Sequence, residues 1–170
     1  MSPTFHRRLL TSLSLDDADG RALVNTARAL KRGLGSAPSA AMPLRGKNIA
    51  LMCAQPDCDC ARDFDEAATG LGARVARIEP EADWLRADAH VGSDAARLLE
   101  HLYDAVGCEE VPPGFAQRLQ EDVAVPVYDS LARGDHPLFK LLPEVADPGT
   151  TPGRAERRAL LQAVLVQTLL

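Results

Sequence analysis

Two spacings of apolar residues alternate along this chain. Leu15, Ala18, Ala22, Leu23, Ala27 and Leu30 recur at helical intervals up to Gly33, and Ser14 and Asp17 supply N-cap chemistry ahead of them. A first helix is predicted there, followed by a surface loop in "GLGSAPSAAMPLRG". The run "KNIALMC" is continuously apolar, as in a strand buried on both faces. After the polar stretch "QPDCDCARDFDE" a helix is expected from about Cys60 to Leu71.

The alternation then repeats. "ARVARI" reads as a second strand, and "EPEADWLRADAHV" as a polar loop carrying the only tryptophan, Trp84. "GSDAARLLEHLY" reads as a helix started by Ser93 or Asp94, "DAVGC" as a third strand, "PGFAQRLQED" as a short helix and "VAVPVYD" as a fourth strand. Strands alternating with helices predict an α/β fold of three layers, with about four parallel strands flanked by helices. Ligands of such sheets bind beyond the carboxyl ends of the strands, the edge that receives Cys53 to Cys60, Cys108 and the loop after Tyr128. Past the Pro/Gly-rich break "PEVADPGTTPG", Leu160, Leu161, Val164, Leu165 and Leu169 give a last helix a broad apolar face.

Composition narrows the function classes. The chain has 170 residues, 46% hydrophobic but only 4% aromatic, which suits aliphatic helices on a small sheet. A net charge of −5 supplies no global attraction for nucleic acid or an anionic membrane, so neither is expected as a partner. No apolar run approaches the ~20 residues of a membrane span, no signal peptide is evident, and a cytoplasmic protein is expected. Three of the four cysteines, Cys53, Cys58 and Cys60, crowd together, as free thiols or metal ligands rather than a disulfide framework. Cys53 reads as a small buried hydrophobe in its strand. His6, His90 and His101 lack ligand-like spacing, and Arg154, Arg157 and Arg158 read as a solvated helix face.

The ordered segments "FHRRLLTSLSLDDADGRALVNTARALKRG", "LRGKNIALMC", "LGARVARI", "DAARLLEHLYDAV" and "VPVYDSLARGDHP" resemble the carbamoyl-phosphate domain of the ornithine and aspartate carbamoyltransferases, from about Phe5 to Leu142. "GRAERRALLQAVLVQTLL" resembles the last helix of those enzymes. The resemblance implies one unit over residues 1–170: a core domain over about 5–145, a bridge over about 146–153 in place of the amino-acid-binding domain, and a closing helix over about 154–170.

The phosphate-binding residues of that family are not matched. Where the family has Ser-Thr-Arg-Thr-Arg, whose hydroxyls, guanidiniums and helix amides hold the phosphate, this chain has Asp57, Cys58, Asp59, Cys60 and Ala61. A third family arginine falls on Glu109. Of the His-Pro-x-Gln motif that holds the carbamoyl group, His136 and Pro137 remain, and Phe139 stands at the glutamine position. If all three acids faced a phosphate at ~4 Å, each would cost on the order of 4 kcal/mol at an effective dielectric near 20. Arg62, one place beyond the lost motif, offers partial rescue only if the helix shifts by a residue.

The resemblance therefore implies a chain without carbamoyltransferase activity of its own, acting as a binding, regulatory or assembly module. It also implies a homotrimer, or association with a full-length carbamoyltransferase. Trp84 falls on the loop that in the family crosses into a neighbouring subunit. No cofactor is expected under this reading. One alternative is a metal or thiol-redox site in the former pocket, with Cys58, Cys60, Cys108 and His136, beside Glu109, as candidate ligands for zinc or another soft divalent ion. The helix N-terminus is then expected to lower the thiol pKa of Cys58 and Cys60. Another alternative is weak residual carbamoyl phosphate binding, with the amino-acid site supplied by a second chain. The plainest reading of the altered pocket is drift of an unused anion site.

Overall fold

The computed structural model describes residues 17–33, 42–55, 57–86 and 89–170. The Ser14 cap, His6 and most of the Ala/Ser/Pro loop lie outside them. The elements run α1 (Asp17–Lys31), β1 (Asn48–Cys53), α2 (Asp59–Gly70), β2 (Arg74–Ile78), α3 (Ser93–Leu102), β3 (Ala105–Glu109), α4 (Phe115–Asp122) and β4 (Val127–Asp129). A 3-10 turn (Pro137–Leu141), α5 (Leu142–Val145) and α6 (Arg154–Leu169) complete the order.

The four strands are all parallel, in the order β2-β1-β3-β4. Ile49, Leu51 and Cys53 turn to one face, where α1, α2 and α6 pack, while Ala50, Met52, Val106 and Cys108 turn to the other, against α3 and α4. Both faces of β1 and β3 are covered, which is why "NIALMC" and "AVGCE" are apolar almost throughout instead of alternating. β4 is only three residues long. Pro126 just before it has no N–H for a ladder, although its carbonyl accepts from Val106 N–H at 2.9 Å.

Some boundaries differ from the sequence expectation for local reasons. Gly92, not Ser93 or Asp94, is the N-cap residue of α3, and no side chain caps that helix. The 3-10 turn and α5 were not expected: Pro137 and Pro143 interrupt the segment, although Leu138, Leu141, Leu142 and Val145 recur at helical spacing, and Leu138, Phe139 and Val145 are buried.

Two contacts fix the position of the site. Phe64 of α2 lies flat enough on β3 that a Cβ at Gly107 would stand 2.8 Å from its ring, so glycine there sets the helix close to the sheet. Burying a side chain of that size contributes about 2–3 kcal/mol. The Phe64 ring also packs at 5.9 Å from Tyr128. On the far side, Tyr128 shares a buried hydrogen bond with Thr168 of α6, whose hydroxyl also donates to Val164 O at 2.8 Å. Lys31 of α1 bridges Asp147 and Glu156 at 2.9 and 2.8 Å, and Glu156 reaches back to accept from Gly153 N–H at 2.8 Å. The segment 146–153 is thereby pinned, and α6 docks directly on α1 and α2.

Candidate functional site at the carboxyl edge of the sheet

The strand order has one reversal. The chain passes from β1 to β2 on one side, then crosses back to β3 on the other side of β1, which leaves a crevice between the carboxyl ends of β1 and β3. Cys53 and Glu109 are register partners at those ends. The N-terminus of α2 closes the crevice with Cys58 and Cys60.

Cys58 is the N-cap residue of α2, in extended conformation, and its Sγ accepts from Ala61 N–H at 3.2 Å. A sulfur of the chain itself thus takes one of the free amides that a bound anion would otherwise use. Cys58 Sγ lies 2.8 Å from Cys60 Sγ and 3.6 Å from Cys53 Sγ. Cys53 also donates to Gln55 O at 2.9 Å, and Cys60 to Glu110 Oε1 at 3.5 Å. Cys53 is therefore more than a buried hydrophobe: it is the third thiol of the group. Its place at the end of a strand that points one residue in two toward α2 is the sequence signal that would have found it.

Burial pushes the Cys53 thiol up to about 12, with the Cys58 and Glu109 charges adding to the rise against a lowering hydrogen bond to Gln55. The Cys60 thiol is also raised, first by burial, then by Cys58 and the charge of Glu109. The expectation that the helix N-terminus would lower the Cys60 thiol is corrected. A half-turn of helix dipole does not offset desolvation in a site that already holds a carboxyl and two other sulfurs.

Glu109 is 0% exposed. Its Oε1 accepts from Ala132 N–H at 2.9 Å, and its Oε2 has no hydrogen-bond partner among the described residues. Burial raises its pKa to about 8, opposed by the Ala132 hydrogen bond and assisted by Asp129 and Glu110. At neutral pH this carboxyl is mostly protonated. Asp57 and Asp59 are exposed to solvent, and Asp59 pairs with Arg62. The picture of three carboxylates confronting a phosphate is corrected accordingly: one acid is neutral and two face water. Arg62 is turned to Asp59 instead of standing in for a lost guanidinium.

The other expected residues do not join the thiols. Cys108 is buried on the opposite face of the sheet, among Val106, Met52 and Phe115, because neighbouring strand residues point to opposite sides. Its thiol is raised by burial and by Asp129 and Glu109. A common site for Cys58, Cys60, Cys108 and His136 is not what this geometry builds. His136 caps the 3-10 turn, accepting weakly from Leu138 N–H at 3.3 Å, and burial lowers its pKa. Its ring stands edge-on to Phe139 at 6.5 Å. Phe139 is buried under the Arg157 guanidinium, 4.0 Å above its ring, and Arg157 donates to Ala132 O at 3.1 Å. Ala61 is buried in α2 against the core.

Among the described residues, no three His, Cys, Asp or Glu side chains surround a common point as metal ligands. Trp84 is half-buried and packs on its own chain, against the α3/α4 side of the sheet. His90 pairs with Asp122 at 3.0 Å, and His101 with its own helix at Arg97 O. Arg154 and Arg158 pair with Glu66 of α2, so the expected solvated face in part clamps α6 to α2.

No family model matches the sequence. Among solved structures, the chain is similar to ornithine carbamoyltransferase from Pyrococcus furiosus, with TM-score 0.62 and 22% identity, over 80% of this chain and 43% of that one. Aspartate transcarbamoylase from Trypanosoma cruzi, solved in complex with phosphate, gives TM-score 0.60 and 21% identity over 80% of this chain and 43% of that one. The catalytic subunit of M. jannaschii aspartate transcarbamoylase gives 0.60 and 21%, over 79% and 44%. The chain has the fold of the aspartate and ornithine carbamoyltransferases, and it spans less than half the length of each of these proteins. No helix among the described residues is long and apolar enough to cross a membrane.

Proposed function

We propose that this chain is a carbamoyltransferase-fold module that does not itself transfer a carbamoyl group and acts by assembly, as a homotrimer or with a full-length carbamoyltransferase. One observation carries the first half. At the switch point, one free amide of α2, that of Ala61, is occupied by Cys58 Sγ, and the side chain beside it is the buried acid Glu109. A dianionic phosphate placed there would have to displace the Cys58 cap before it reached Ala61 N–H, and the neutral acid beside it supplies no countercharge.

The assembly half rests on α3. Leu98 and Leu102 are 61% and 56% exposed, four residues apart on one face, a placement that leaves apolar area uncovered in the isolated chain. Residues 146–153 serve on this reading as a bridge in place of an amino-acid-binding domain, and the cytoplasm is the compartment it implies. The test is a transfer assay with carbamoyl phosphate and either ornithine or aspartate, run beside sedimentation of the chain alone and mixed with a full-length carbamoyltransferase. The expected result is no product above the blank and a species larger than the monomer. Product formation by the chain alone would overturn the first half, and a monomer that sediments apart from the enzyme would overturn the second.

A further inference from the structure

The three sulfurs at the α2 N-terminus are not explained by assembly. Their contacts run in sequence, Cys53 to Cys58 at 3.6 Å and Cys58 to Cys60 at 2.8 Å. Around a metal with bonds near ~2.3 Å, sulfur ligands would stand roughly 3.8 Å apart about one centre. The 2.8 Å pair is far inside that spacing and is within about 0.8 Å of an S–S bond. A row of thiols with one short step suits pairwise sulfur chemistry.

We propose that Cys58 and Cys60 form a dithiol–disulfide site that exchanges two electrons with a low-molecular-weight disulfide, with Cys53 as the third, alternative partner of Cys58. Cys58 is the most open of the three and is half-buried, whereas Cys53 and Cys60 are 4% and 8% exposed. The Cys58 thiolate attacks one sulfur of the external disulfide. The external S–S bond breaks, and the released thiolate takes the proton that Cys58 lost. The Cys60 thiolate then attacks Cys58 Sγ and expels the second external thiol. Two protein thiols are oxidised and one external disulfide is reduced to two thiols.

Glu110 is placed to accept the Cys60 proton, through the Sγ to Oε1 contact at 3.5 Å. It is one of two non-glycine residues among those described with positive φ, at 49°. That left-handed backbone is unfavourable for a glutamate, and strain of this kind collects at functional sites. The raised thiol of Cys60 has two consequences for this site. The second step is slow at neutral pH because little Cys60 thiolate is present, and the disulfide once formed resists reduction because Cys60 is a poor leaving group.

The experiment equilibrates the full chain with glutathione and glutathione disulfide in mildly alkaline buffer, quenches with acid and alkylates the remaining thiols in denaturant. Trypsin cutting after Lys47 and Arg62 gives one peptide, Asn48 to Arg62, that holds all three cysteines. The expected product is lighter by two hydrogens and takes one alkyl group in place of three, with Cys108 alkylated throughout. At the same glutathione ratio, the oxidised-to-reduced ratio of the native chain should exceed that of the urea-unfolded chain by at least about tenfold, because only the fold adds alignment to chain proximity. Cys53→Ser and Cys108→Ser should keep the disulfide, and Cys58→Ser should lose it. Three alkyl groups on the wild-type peptide, a native ratio no higher than the unfolded one, or a bound metal that shields all three thiols would each overturn the proposal.

Discussion

Cys53 and Glu109 stand opposite each other as register partners at the carboxyl ends of β1 and β3, and both turn toward the N-terminus of α2. The position follows from strand order: the one reversal in the sheet falls between these two strands. A thiol and an acid therefore occupy the place where an open α/β sheet ordinarily receives its ligand. Glu109 is the more consequential of the two for stability, since a buried carboxyl with one unpaired oxygen must be neutral to be tolerated.

The first prediction concerns that acid. The folded pKa of Glu109, about 8, lies above its ordinary 4.5, so its favourable contribution is complete below pH 4.5 and is lost as pH rises through 8. Glu109→Gln keeps an oxygen for Ala132 N–H and removes the ionisation. Its stability should fall less than that of the wild type between pH 4.5 and 8, by on the order of 3 kcal/mol at pH 7. Urea unfolding at several pH values checks this, and parallel pH profiles for the two proteins would refute it.

Gly107→Ala should destabilise the fold by about 1–3 kcal/mol through overpacking, because the added methyl would stand 2.8 Å from the Phe64 ring with β3 behind it. A shift of the urea midpoint at unchanged slope is the expected signature.

The Lys31 hub predicts an acid limb. The hydrogen bond from Lys31, and next the one from Gly153 N–H, hold the Glu156 carboxyl at about 2, below its ordinary 4.5. Its contribution is present above pH 4.5 and is lost as pH falls toward 2. Glu156→Gln should be less stable than the wild type at neutral pH, and the two should converge in acid. Thermal melts across that range measure the convergence.

For assembly, Leu98→Glu combined with Leu102→Glu should release monomers, with the helical circular dichroism unchanged, because both side chains are already more than half exposed. Sedimentation velocity reads the outcome. An oligomer unaffected by both charges would place the interface elsewhere.

The sequence made the layers legible because the strands that matter most are apolar on both faces and the last helix carries a broad apolar face; "NIALMC" and Leu160 to Leu169 are the strongest examples. The site was less legible. Cys108 and Glu109 were both assigned to the pocket, although adjacent strand residues must face opposite sides, and only the acid faces the pocket. The meeting of Cys53 with Cys58 depends on how the chain turns through Gln55, and that turn is not written in local spacing. The charge state of Glu109 depends on its burial, which outweighs the hydrogen bond from Ala132 N–H, a tertiary effect that residue type alone assigns wrongly.

The most direct test of the account is a calorimetric titration of the full chain with carbamoyl phosphate to millimolar concentration, repeated with inorganic phosphate. With the α2 cap held by Cys58 and Glu109 behind it, no saturable heat is expected from either ligand. Saturable binding of carbamoyl phosphate at the switch point, weakened by Arg62→Ala, would mean that the pocket still works as an anion site and would contradict the central claim.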